Sequence, residues 1–189
     1  MYLASTPEAN ELLERDPLAL LLGMMLDQQI PMEKAFTSPD VLRHRIGTHL
    51  DAQTIADYDP AALEAIFAET PALHRFPVAM ANRAQVLCAI VAETYQGNAA
   101  TIWQGAASGA ELVARLQELP GFGPQKAKIF AALVGKQLGV RPAGWRESST
   151  PYGQEATFYS AADVVDHASL LKVKAYKKQA KAAAKAALA

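Results

Sequence analysis

The sequence predicts an all-α protein, and three observations carry that expectation. Alanine supplies 38 of the 189 residues while aromatics are 7%, a composition weighted toward helix. A capping residue followed by proline, the signature of a helix start, recurs at Thr6-Pro7, Asp16-Pro17, Ser38-Pro39 and Asp59-Pro60. Strand signals shrink to the dipeptide Val164-Val165, and no internal repeat is found. With 51% hydrophobic and 20% charged residues, the chain has ordinary globular composition, and its length suits one domain or two small ones.

The first helix opens at Pro7, with Ser5 and Glu8 also spaced for a capping box. Pro17 opens the second. Leu18-Ala19-Leu20-Leu21-Leu22-Gly23-Met24-Met25-Leu26 is apolar all round, as a buried central helix should be. Ser38-Pro39 marks a third start. Ala61 to Ala68 places Leu63, Ile66 and Phe67 at helical spacing. Met80 to Tyr95 sets Val86, Leu87, Ile90, Val91 and Tyr95 on one face and stops at Gly97. Ser108 caps Gly109 to Glu118, Pro124 opens Gln125 to Leu138, and Gly139 closes it. Residues 140–162 contain Pro142, Gly144, Pro151 and Gly153 and read as a long loop. Asp166 then caps a last helix, His167 to about Leu188. The expected organisation is a helical core over 1–139, a loop or insertion over 140–162, and a basic helix within 163–189 packed on the same domain.

The chemistry concentrates in Leu119-Pro120-Gly121-Phe122-Gly123-Pro124-Gln125-Lys126-Ala127-Lys128. One helix runs into a Gly-x-Gly turn and a second follows at once. The two glycines permit a hairpin with positive φ and no side chain in a ligand's way. The next helix then presents free N–H groups and its positive dipole end, which receive an anion such as a backbone phosphate. Phe122 would pin the hairpin to the core, and Lys126 and Lys128 add positive charge. Gly-x-Gly alone is a tight helix–helix loop; Leu-Pro-Gly-Phe-Gly before a basic helix is far more specific.

This stretch resembles the helix-hairpin-helix of the base-excision DNA glycosylase superfamily, which includes endonuclease III, the adenine-mispair glycosylases and the alkyl-purine glycosylases. The paired helices fall at about 109–138. Leu26-Asp27-Gln28-Gln29, within Leu21 to Phe36, looks like the family's Leu-x-x-Gln segment. Asn82-Arg83-Ala84, within Phe76 to Gly97, looks like its Asn-Lys-Ala helix. Residues 16–139 thus fit in order and approximate spacing, and the chain is also similar to small bacterial members of the superfamily.

The resemblance implies a glycosylase-type all-α fold without an iron–sulfur cluster. It implies DNA-backbone binding by Leu119, Gly121, Phe122, Gly123, Gln125, Lys126 and Lys128, beside a Na⁺ or K⁺ on the carbonyls of Leu119 and Gly121. It places Gln29 in the gap left by a flipped base; as a bare sequence feature Gln29 is a polar helix end, and Gln28 is equally available. Members that also cleave the DNA strand carry a Lys two residues after the second Gly, where its amine forms a Schiff base. Gln125 stands there, so AP-lyase activity is not expected. Lys126, about 100° further round the helix, is expected to meet phosphate or solvent. The family's catalytic Asp enters a later helix. Asp166, in Val165-Asp166-His167, is the better match and Asp163 the alternative, although 41 positions separate Gln125 from Asp166, about twice the family's usual spacing. Such a carboxylate stabilises oxocarbenium-like charge or orients water; without that role Asp166 is an N-cap.

The other features stay open. Trp145, Tyr152, Phe158 and Tyr159 either stack on a flipped base or tack the loop to the core; Trp103 is read as core. The tail lysines 172, 174, 177, 178, 181 and 185 contact phosphate or decorate a solvated helix. The four histidines have no ligand spacing, so no transition-metal site is expected. Cys88, the lone cysteine, excludes a disulfide framework and a four-Cys iron–sulfur ligand set. No signal peptide or bilayer-length apolar run is read, and a soluble protein of the bacterial cytoplasm and nucleoid is expected.

The net charge of −1 conceals a division: residues 1–118 hold 7 Lys/Arg against 15 Asp/Glu, whereas residues 119–189 hold 11 against 4. The basic part begins at the hairpin. The resulting expectation is a monomeric, monofunctional DNA glycosylase on double-stranded DNA. A non-catalytic DNA-damage binder is the alternative, and a helical interaction protein that does not use DNA is a further rival.

Overall fold

Capping chemistry sets the helix starts. In the computed structural model, which describes residues 1–186, eleven α-helices follow one another with no β-strand among the described residues. They are α1 (Pro7–Arg15), α2 (Pro17–Leu26), α3 (Met32–Ile46), α4 (Ala52–Ala56), α5 (Pro60–Ala68), α6 (Pro77–Tyr95), α7 (Ala100–Gln104), α8 (Gly109–Gln117), α9 (Pro124–Gln137), α10 (Trp145–Ser148) and α11 (His167–Ala186). The expected end near Leu188 lies outside the described residues. The side chains of Thr6, Asp16, Asp59 and Ser108 each accept a backbone N–H from the first turn of their helix. Asp51 does the same for the short α4, which its sequence did not announce.

Two starts differ from expectation. Ser38-Pro39 opens no helix, because α3 already began at Met32 and runs through Pro39. The proline withholds one backbone donor. Ser38 Oγ donates at 2.8 Å to Lys34 O and lies 2.9 Å from Leu73 O, so that hydroxyl links α3 to the segment before α6. Ser5 and Glu8 form no capping box; Ser5 N donates to Thr37 Oγ1, and Thr6 alone caps α1. Along α6, Val86 faces solvent at 53% exposure while Leu87, Cys88 and Val91 are buried, so the apolar face is rotated from the expected one.

Every residue of α2 from Leu18 to Leu26 is buried, with α1, α3 and α6 packed around it. Full burial of a Leu or Met side chain contributes about 1.5–3 kcal/mol, which makes α2 the centre of the core. Phe36 lies against Gly23, where an added Cβ would come within 2.7 Å of the ring. Helices α4 and α5 pack on α6, and α8 pairs with α9.

The segment over 140–162 is built rather than loose. It contains α10 and leads into a 3-10 turn over Ala161–Asp163. Trp145 is buried, seated on Gly135 of α9 and Gly109 of α8; an added Cβ would lie 2.5 Å from the indole at the first and 2.4 Å from the Trp145 Cα at the second. Gln137 Nε2 bonds the carbonyls of Ala161, Ala162 and Val164, each at 3.2 Å. Among the described residues no helix is long and apolar enough to cross a membrane.

Candidate functional site

The hairpin joins α8 to α9 through a tight turn. Phe122 N donates to Leu119 O at 3.1 Å, with Pro120 and Gly121 between them. Gly121 has φ +87°, the left-handed conformation that a type II turn demands at its third position. A Cβ there would also meet Arg83 Cδ at 3.0 Å and Met25 Cγ at 3.2 Å. Gly123 differs from expectation: its φ is −69°, and a Cβ would meet nothing within 4 Å. Its lack of a side chain keeps space open rather than permitting a backbone shape. Phe122 is buried edge-on to Phe130 at 5.7 Å, and Phe130 packs likewise on Trp103 at 5.4 Å. Leu119 is buried, and its carbonyl already takes the Phe122 N–H; with the Gly121 carbonyl it is the kind of donor a Na⁺ or K⁺ accepts.

No side chain caps α9. Pro124 has no N–H, and the N–H groups of Gln125 and Lys126 find no acceptor among the described residues. Gln125 is exposed, and its amide donates to Tyr152 Oη at 2.8 Å, so the 140–162 segment is anchored beside the open helix end. Lys128 is half-buried.

Lys126 turns inward, not out to solvent. Its Nζ donates to Met25 O at 2.9 Å, 5.9 Å from the Phe122 ring centre. Burial lowers its pKa to about 8; the charge of Asp27 opposes that shift and Arg83 adds to it. Asp27 terminates α2. Burial raises its carboxyl above the ordinary range, Lys177 and Lys126 pull it back, and Glu33 pushes the same way as burial. Glu33, in the first turn of α3, is ion-paired with Lys174 of α11. Burial raises its pKa, but the Lys174 hydrogen bond and the charges of Lys174 and Lys177 outweigh that and leave it lowered. Glu33 Oε2 is buried and has no hydrogen-bond partner among the described residues. Asp27 and Glu33 line one cleft of about 230 Å³ with Ile30, Met32, Leu170, Val173, Lys174 and Lys177. Asp27 at the end of α2, the turn after it, α3 and α11 build its walls, and Lys126 of α9 acts on Asp27 through its charge.

The glutamines before this cleft separate. Gln28 turns inward, its Nε2 3.2 Å from Met80 Sδ, and its carbonyl lies 2.9 Å from His74 Nε2. His74 Nδ1 accepts the Phe76 N–H at 3.1 Å, which assigns the proton to Nε2. Burial holds the His74 pKa below its ordinary value and so favours the neutral ring. Gln29 is exposed, with φ +56°.

The two sequence-predicted aspartates lie in different surroundings. Asp163 is 3% exposed at its side chain, and Oδ1 is 2.5 Å from Lys136 Nζ and 3.2 Å from Thr157 Oγ1. Its Oδ2 accepts the N–H groups of Tyr159 at 2.8 Å and Ser160 at 3.2 Å. Asp166 is exposed at the start of α11, and its Oδ1 accepts from Ser169 N and Ser169 Oγ, both at 2.7 Å. Those bonds hold its carboxyl below the ordinary range. Asp166 lies one turn before Leu170 of the cleft wall.

Of the aromatics, Trp145 is core. Tyr159 packs on Tyr176 at 4.6 Å, and Lys172 lies over Phe158 at 4.4 Å. Sequence reasoning missed Asp27 and Glu33 as chemical groups. The signal was present: Asp27 is the first charged residue after nine consecutive buried positions, and it faces whatever packs on that helix end. Lys174 and Lys177 read as tail charge but belong to the cleft. The chain matches no protein-family model and no curated protein.

Proposed function

We propose that the chain is a DNA base-excision glycosylase that flips a damaged or mispaired base from double-stranded DNA and hydrolyses its N-glycosidic bond. The observation that carries this reading is the bare start of α9, whose unpaired Gln125 and Lys126 N–H groups open beside the ionisable cleft at Asp27. A phosphate oxygen fits those donors. Gly121 shapes the turn and Gly123 leaves room for the strand. Leu119 and Gly121 would hold a monovalent cation that adds positive charge under the same phosphate. Gln29, exposed at the turn after α2, fills the gap left by the base. Asp166 or Asp163 is the carboxylate that the resemblance assigns to the sugar, and Asp166 keeps one oxygen clear of hydrogen bonds among the described residues. Gln125 cannot form a Schiff base, so strand cleavage is not part of the reaction.

A non-catalytic DNA-damage binder is the second reading, favoured by the enclosure of Asp163. Duplexes carrying one lesion each separate the two: alkylated purines, uracil, hypoxanthine, oxidised bases and mispaired adenine. A glycosylase gives strand breaks only after alkali. Salt-dependent duplex binding without base release supports the binder, and absence of duplex binding rejects both.

A further inference from the structure

We propose that the exposed end of α11 is a second DNA-backbone site, a helical stripe of lysines that starts at the cleft and grips phosphates to one side of the target base. This rests on the DNA reading of the α9 turn and extends the contact beyond it. Lys174, Lys177, Lys178, Lys181 and Lys185 recur at three- and four-residue spacings. At 3.6 residues per turn they fall within an arc of about 100° on one face of α11, over a length of about 16 Å. All five are exposed, and no residue from 174 to 183 is buried. The inner end of the stripe is fixed at the cleft. Lys174 is ion-paired with Glu33 of α3, and Lys177 lines the cleft and acts by its charge on Asp27. Lys126, in the first turn of α9, acts on the same carboxylate, so the stripe begins beside the phosphate-binding turn. The opposite face of α11 is braced against the body: Tyr176 packs on Tyr159 at 4.6 Å, and Lys172 lies over Phe158 at 4.4 Å.

Charge selects the occupant. Like charges three and four positions apart repel and weaken a helix. A helix that meets only water interleaves acids with its lysines, and no Asp or Glu follows Asp166. A line of anions offsets that repulsion. A duplex presents one phosphate every ~3.4 Å along each strand, so the stripe spans about five. A membrane surface fits less well, because a helix lying in it needs bulky apolar residues opposite its lysines. Ala175, Gln179, Ala182 and Ala183 stand there, and Tyr176 is engaged with Tyr159.

The probe is a duplex with one tetrahydrofuran abasic analogue well inside both ends. Its affinity is measured over a range of salt for wild type, for a variant combining Lys178→Gln, Lys181→Gln and Lys185→Gln, and for Ala180→Pro. Circular dichroism and thermal melting are followed in parallel. The triple variant should keep its Tm, bind about tenfold more weakly at ~0.1 M salt, and show a salt slope shallower by about 2–3. Its hydroxyl-radical footprint should shorten by about five phosphates on one side only. Ala180→Pro keeps every charge but breaks the helix between Lys178 and Lys181, so its slope should fall by about 2. Triple-variant binding within about twofold of wild type, at an unchanged slope, overturns the proposal and leaves the glycosylase reading intact. So does a wild-type slope in Ala180→Pro, which would mean that the lysines act as a loose polycation. Binding to phosphatidylserine vesicles that the triple variant loses, with duplex binding unchanged, overturns it in favour of a membrane. A wild-type protein that binds no duplex overturns both.

Discussion

Lys126 Nζ donates to the carbonyl of Met25 at 2.9 Å and ties the first turn of α9 to the end of α2 across 101 positions of sequence. This contact places a cation where burial opposes it. The folded pKa is about 8 against an ordinary 10.5. The folded state therefore gives up its proton first, and the stability contribution rises with pH between those two values. Urea unfolding at about pH 7 and about pH 10 should show that rise, at most about 3 kcal/mol, in wild type relative to Lys126→Met. Equal pH dependence in the two proteins would mean that the ammonium is well solvated.

Asp163 and Lys136 form the buried counterpart of this arrangement. Replacing Asp163 by Asn leaves Lys136 without its partner and should cost about 3 kcal/mol, lowering Tm by roughly 6–12 °C. Adding Lys136→Met to that variant should recover part of the loss. Calorimetry on the two variants checks both statements. Any activity lost in Asp163→Asn must therefore be read against its melting curve.

The hairpin glycines should part company. Gly121→Ala meets a positive φ and the Arg83 side chain, and should cost about 1–2 kcal/mol. Gly123→Asn should be neutral or a few tenths of a kcal/mol stabilising, because its side chain caps the free N–H groups of α9. The same cap competes with phosphate, so duplex binding should weaken while Tm holds. Binding and melting that fall together would show that Gly123 serves the fold.

Gln29 holds a left-handed backbone at a cost of about 1 kcal/mol. Gln29→Gly should hold or raise Tm, yet weaken binding to a duplex with an abasic site by about tenfold, ~1.4 kcal/mol. Binding to intact duplex should be unchanged. Equal loss on both duplexes would remove the gap-filling role.

Much of the helical order is legible in the chain, because capping pairs act locally: Thr6, Asp16, Asp59 and Ser108 do what their side-chain oxygens dictate. Ser38-Pro39 misleads for a tertiary reason. Its hydroxyl lies between Lys34 O and Leu73 O, the latter 2.9 Å away and 35 positions on in sequence, and local punctuation carries no sign of that. Gly121 can be read from the Pro-Gly pair, whereas the openness at Gly123 depends on what stays away from it. Asp27 and Glu33 are hardest to read. Their burial and their lysine partners come from α9 and α11, about 100 to 150 positions later, so neither residue type nor spacing marks them out.

Trp145 bears on how the molecule is put together. Its indole rests on Gly135 of α9 while its backbone abuts Gly109 of α8, so its seat exists only once those two helices have paired. Residues 140–162 thus lean on the paired α8 and α9, and in return they brace the turn between those helices through Tyr152 and Gln125. Removing them as though they were an optional graft would expose two bare notches and unhitch the turn. With Trp103 replaced by Phe, the emission of Trp145 becomes an optical reporter of whether α8 and α9 have joined.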